Sequence, residues 1–110
     1  MRALFLLAFV LAGCGDDDVS RSLGARCDRV DECDDRCLGP SGDYPEGFCT
    51  VDCTTSSDCP DVGECVDREG GVCLFPCTSD DSCRFLGPGW TCHEDSRHDD
   101  PAQKVMVCRG

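Results

Sequence analysis

The sequence predicts a small disulfide-rich fold, with three tandem four-cysteine modules built from short β-hairpins and turns and little helix. Two observations carry this. Thirteen of 110 residues are cysteine, above the roughly 8–10% that already marks a disulfide scaffold in a short exported chain. The cysteines from residue 27 onward also recur with a fixed plan. They fall at 27, 33, 37 and 49, then 53, 59, 65 and 73, then 77, 83, 92 and 108. Each group opens Cys-x5-Cys, and the groups begin 26 and 24 residues apart. Periodicity with repeated flanks signals a module array. Aromatics are few (five Phe, one Trp, one Tyr), and so short a chain buries little of its surface. Crosslinks are therefore expected to stand in for a large apolar interior.

The first residues read differently. Met1-Arg2 is followed by an apolar run from Ala3 to Ala12, too short for the ~20 residues of a membrane-spanning helix. A positive start, an apolar core and small residues at its end describe an export signal over 1–13. The run closes Leu11-Ala12-Gly13-Cys14, which resembles the lipobox of bacterial lipoproteins. The resemblance implies that Cys14 becomes the first mature residue and carries a diacylglyceryl thioether and an acylated amine. Removing Cys14 from thirteen leaves twelve, an even number that can pair completely. Residues 14–26 are expected to be the lipidated cysteine and a flexible acidic tether, with Asp16, Asp17 and Asp18 beside the anchor.

The modules then span 27–49, 50–73 and 74–110. Thr54 to Asp58 and Thr78 to Ser82 are rich in Thr, Ser and Asp, whose side chains cap single turns. Gly47 and Gly70-Gly71 precede a β-prone residue and a cysteine, the pattern of a tight turn entering a short strand. Four cysteines permit three connectivities. First with third and second with fourth is preferred, because two interlocked loops restrain more chain than two separate ones. The second unit, Cys-Thr-x4-Cys-Pro-x2-Gly-x-Cys…Gly-Val-Cys over 53–73, resembles dickkopf-like and EB-like extracellular modules, which implies protein binding or a spacer role. Cys33-x3-Cys37 is short for that pattern and the interval from Cys92 to Cys108 is long.

Charge and motif content narrow the function. Twenty-two acidic against ten basic residues give a net charge of −12, which excludes non-specific nucleic-acid binding and adhesion to anionic lipid by charge alone. No Cys-x2-Cys pair is present for zinc or redox chemistry, and no Gly-x-Ser-x-Gly elbow for a hydrolase. No enzyme, cofactor or metal is expected. The predicted role is a membrane-anchored, non-enzymatic binding or spacer module in a bacterial cell envelope, partnered by the membrane through its lipid and by another protein. Candidate contacts are Phe85, Leu86 and Trp90 on the glycine-rich loop before Cys92, although packing of Trp90 inside the third module competes with that role, and Tyr44 on the loop 38–48. Phe48 and Phe75 adjoin cysteines and are expected to cover the disulfides locally. Two alternatives stand beside this reading. A peptidase inhibitor would present Arg36 or Leu38-Gly39 on a rigid loop. A divalent-cation module would use the acidic interval 93–100, with His93, His98, Glu94, Asp95, Asp99 and Asp100, and more distantly Asp81. A solvated acidic loop is the preferred reading of that interval, since it lacks the pattern of a calcium loop.

Overall fold

A computed structural model describes residues 19–110. The export signal, Cys14 and the three aspartates after it lie outside the described residues. Within them, the three cysteine groups follow one plan. A 3-10 turn forms between the first two cysteines, at Val30–Glu32 and Ser56–Asp58, and in the third group it runs through the second cysteine, over Asp80–Leu86. The third and fourth lie on the strands of an antiparallel hairpin. These hairpins are β1 (Arg36–Leu38) with β2 (Phe48–Thr50), β3 (Glu64–Val66) with β4 (Val72–Leu74), and β5 (Thr91–Ser96) with β6 (Lys104–Arg109).

The register explains the crosslinks. Cys37 stands opposite Cys49, Cys65 opposite Cys73 and Cys92 opposite Cys108. Directly opposed side chains leave a hairpin on the same face, so each hairpin offers two adjacent sulfurs. They do not bond to each other; each takes one cysteine from the preceding turn. The six disulfides are Cys27–Cys37, Cys33–Cys49, Cys53–Cys65, Cys59–Cys73, Cys77–Cys92 and Cys83–Cys108. First joins third and second joins fourth, three times.

Each turn is held by the residue before its second cysteine. Glu32 Oε1 accepts the backbone N–H groups of Asp28 (2.6 Å) and Arg29 (3.1 Å). Asp58 Oδ2 accepts those of Thr54 (2.9 Å) and Thr55 (3.2 Å). Ser82 Oγ takes the same place, with Thr78 and Ser79 donating at 3.3 Å each. The donated backbone hydrogen bonds favour the charged form, and both carboxyls are lowered from their ordinary values of 4.5 for Glu32 and 3.8 for Asp58. A depressed folded-state pKa means the stabilisation is fully present above the ordinary value and is lost as pH falls through the depressed one. Carboxyl-carbon NMR should therefore show Glu32 and Asp58 titrating below their ordinary values. Glu32→Gln and Asp58→Asn should flatten the acid limb of the stability curve. Midpoints at the ordinary values would contradict the assignment.

A further segment pairs briefly along each two-stranded hairpin. The N–H of the fourth cysteine donates to the carbonyl two residues before the first: Cys49 to Ala25 (2.8 Å), Cys73 to Val51 (3.3 Å) and Cys108 to Phe75 (2.9 Å). The chain leaving one hairpin thus pairs along the next. In the first unit this role falls to residues expected to be flexible tether. Residues 19–26 are instead ordered against the body, with Leu23 fully buried and the N–H of Gly24 donating to Cys49 at 2.8 Å. The reason is the open edge of β2, whose backbone groups need partners. Gly47 and Gly71 have φ of +86° and +105°, and a Cβ on either would strike the carbonyl oxygen of Cys27 or Cys53. Glycine lets the first cysteine's backbone lie against the hairpin.

Beside a small cluster of Cys27, Cys33 and Cys49 in the first unit, the three units share one main interior. This core takes Leu23 from the segment before the first unit, Phe48 from the first, Val66 and Val72 from the second, and Leu86, Trp90 and Val107 from the third. Phe48 meets Phe75 edge-on at 6.1 Å and Trp90 at 5.3 Å between ring centres. Phe48 and Phe75, expected to cover local disulfides, are therefore part of a shared interior. Backbone bonds from Asp67 to Ser96 (2.8 Å) and from His98 to Cys65 (3.1 Å) further tie the second unit to the third.

Candidate functional site

Four residues were candidate partner contacts, with packing the preferred reading of Trp90, and the structure turns three of them inward. Leu86, Trp90 and Tyr44 are buried, while Phe85 remains 42% exposed. Phe85 and Leu86 belong to the 3-10 helix Asp80–Leu86 rather than to an open loop. Trp90 packs beyond its own module, against Phe48, and its indole N–H donates to the carbonyl of Pro45 at 3.2 Å. An indole has more apolar surface than the third unit alone covers, and its polar edge needs an acceptor once buried. Tyr44 lies in the same core; among the described residues its buried hydroxyl has no hydrogen-bond partner within normal distance, and burial, opposed by the nearby Arg68 guanidinium, pushes the phenol above its ordinary range.

The acidic interval is also structural. Its first half is strand β5, paired with β6. Asp95 is buried between Arg68 (2.9 Å) and Arg109 (3.1 Å), and Asp43 approaches the same two arginines at 3.6 and 3.8 Å. This clamp joins one acid from the first unit, one base from the second, and an acid and a base from the third. A buried carboxylate between two guanidiniums is held in place by the cost of leaving any member unpaired. His93 bonds to Thr91 at 2.6 Å and His98 to Asp67 at 3.0 Å. Glu94, Asp99 and Asp100 remain exposed, as the solvated reading expects, whereas Asp95 is drawn into the body. Among the described residues, the groups of His, Cys, Asp or Glu close enough to share a metal are cysteine triplets, all already in disulfides.

The inhibitor loop is divided in the same way. Leu38 is buried, and Arg36 is engaged by Asp52 at 2.7 Å and by the carbonyl of Glu69 at 2.9 Å. Gly39 beside them stays exposed.

What remains is an apolar face around Phe85. Val19, Gly24, Ala25, Arg26, Phe85 and Leu86 line a shallow hollow of about 350 Å³. Phe85 stands edge-on to Phe75 at 5.0 Å. Gly24, at φ +105°, leaves no room for a side chain between Val19 and Phe75, so the first described residues press directly onto the aromatic layer. Arg26, paired with Glu46 at 2.7 Å, and Arg84, paired with Asp81 at 3.0 Å, are exposed; Arg26 lines the hollow and Arg84 precedes Phe85 in the chain. Sequence reasoning missed Val19, Gly24 and Ala25 because they were assigned to the tether. A signal was present: the residue two before each first cysteine is apolar (Ala25, Val51, Phe75), as a paired strand requires.

Comparison with protein-family models, curated proteins and solved structures finds no match to this chain. Six disulfides are the mark of an oxidising, extracellular compartment. Among the described residues, no helix is long and apolar enough to cross a membrane.

Proposed function

We propose that this chain is a lipid-anchored bacterial envelope or surface lipoprotein, whose rigid cysteine-rich body is a non-enzymatic binding or spacer module. The observation that carries the reading is cysteine accounting. The twelve cysteines from 27 to 108 pair among themselves, and the thirteenth, Cys14, ends the motif Leu11-Ala12-Gly13-Cys14. Lipid on that sulfur and on its amine supplies the two or more chains that stable anchoring requires, at about 0.8 kcal/mol for each buried methylene. The resemblance of the second unit to dickkopf-like and EB-like modules supports a binding or spacer role. The mechanism is mechanical: lipid fixes one end, crosslinks fix the shape, and the acidic surface keeps copies soluble and apart.

Intact-mass measurement of membrane-extracted protein, before and after reduction, tests this directly. Acyl mass is expected on the peptide beginning at Cys14. Reduction should add twelve hydrogens, two for each of six bridges. Cys14→Ser should move the protein from the membrane to the soluble fraction. A membrane-extracted chain without acyl mass, or a Cys14→Ser protein that stays with the membrane, would sink the anchor.

A further inference from the structure

We infer that the Phe85 face is the side of the molecule that rests on the lipid surface, with the Phe85 ring as its contact residue. The inference rests on lipidation of Cys14, as proposed above, and adds an orientation to it. Val19, where the described body begins, lines the Phe85 hollow itself. Val19 is five residue steps along the chain from Cys14, and five steps span at most about 18 Å when fully extended. A body of this length is roughly 30 Å across by the size scaling of compact domains. The leash is thus shorter than the body is wide. The molecule cannot turn its far side to the bilayer, and the surface beside Val19 is confined next to the headgroups.

The chemistry of that surface fits the confinement. Phe85 is a large apolar side chain left 42% exposed in a chain with few aromatics. Its neighbours in the hollow, Val19, Gly24, Ala25 and Leu86, add apolar area. Arg26 in the hollow and Arg84 beside Phe85 are paired with Glu46 and Asp81, so the contact is carried by apolar area and by the short leash rather than by charge, in a chain at −12. Large apolar side chains such as phenylalanine and leucine are what surface-lying segments bury at the boundary between headgroups and acyl chains. The acidic remainder of the surface then faces outward, where a protein partner would meet it.

Hydroxyl-radical footprinting read by mass spectrometry tests the orientation on the lipidated chain. It would be reconstituted in vesicles of phosphatidylethanolamine with a minor share of phosphatidylglycerol, and compared with soluble Cys14→Ser protein. Val62 (67% exposed) and Val30 (59% exposed) serve as references, since neither lines the hollow. Oxidation of Phe85 is expected to fall several-fold in vesicles, while Val62 and Val30 keep their solution rates. Acyl mass on Cys14 is measured in the same sample. Lipid present with Phe85 as reactive as in the soluble protein overturns the orientation alone. Lipid absent overturns the anchor and the orientation together. Phe85 already unreactive in soluble Cys14→Ser protein would mean that protein covers the face, and would also overturn the inference.

Discussion

Replacing Phe48 with alanine is expected to destabilise all three cysteine units together. Phe48 is fully buried and lies between Phe75 and Trp90, so truncation opens a cavity where the units meet. Phe→Ala changes in packed cores cost about 3–5 kcal/mol, a large share of the 5–15 kcal/mol that typical domains possess. Denaturant unfolding should register that loss as one cooperative transition. Hydrogen exchange should accelerate in β6 as well as in β2, because Trp90 and Val107 share the same core. Three independent modules would behave otherwise, with faster exchange confined to residues 19–50. That confined pattern would refute the shared interior.

Opening the longest crosslink should have an effect of similar size by another route. Cys83–Cys108 closes a separation of 25 residues, and chain-entropy reasoning gives roughly 3.5 kcal/mol for such a loop. The shorter Cys27–Cys37 separation of 10 gives roughly 2.7 kcal/mol by the same relation. Alanine is the better replacement at Cys83 and Cys108, since both are fully buried and serine would bring hydroxyls into that space. The Cys83→Ala/Cys108→Ala protein should melt roughly 14–28 °C lower, taking 4–8 °C per kcal/mol for a domain of this size. Cys27→Ala/Cys37→Ala should lose somewhat less. A melting temperature within a few degrees of the parent would mean that the apolar core suffices without sulfur.

The two expectations mark where sequence reasoning reached and where it stopped. Cysteine spacing, the turn chemistry of Glu32, Asp58 and Ser82, and the glycines before β2 and β4 all act within one module. Each could be read from a few neighbouring residues. The preferred pairing of first with third and second with fourth cysteine rested on loop restraint. The structure supplies its geometric cause in the registers Cys37–Cys49, Cys65–Cys73 and Cys92–Cys108. The fates of the aromatics were not legible in this way. Trp90 and Phe48 are 42 positions apart, and nothing in either neighbourhood names the other.

The candidate site shows the same division. Phe85, Leu86, Trp90 and Tyr44 carry the same apolar signal in the sequence, yet only Phe85 stays open. Asp95 reads as one more surface acid until Arg68 and Arg109 close around it. Residues 19–26 read as tether by composition, because their partner, the edge of β2, lies more than twenty residues downstream.

The amino-acid sequence by itself determined the crosslinked class, the threefold plan, the turns at the head of the second and third units and the motif at Cys14. Tertiary structure alone decided that the units share one interior, that an ionic clamp spans them, and that Phe85 is left beside the start of the body. The reason is directional. Covalent crosslinks and turn hydrogen bonds have fixed reach and short range, so spacing encodes them. Apolar burial has no preferred direction or partner, so only the folded arrangement selects which rings meet and which one remains at the surface.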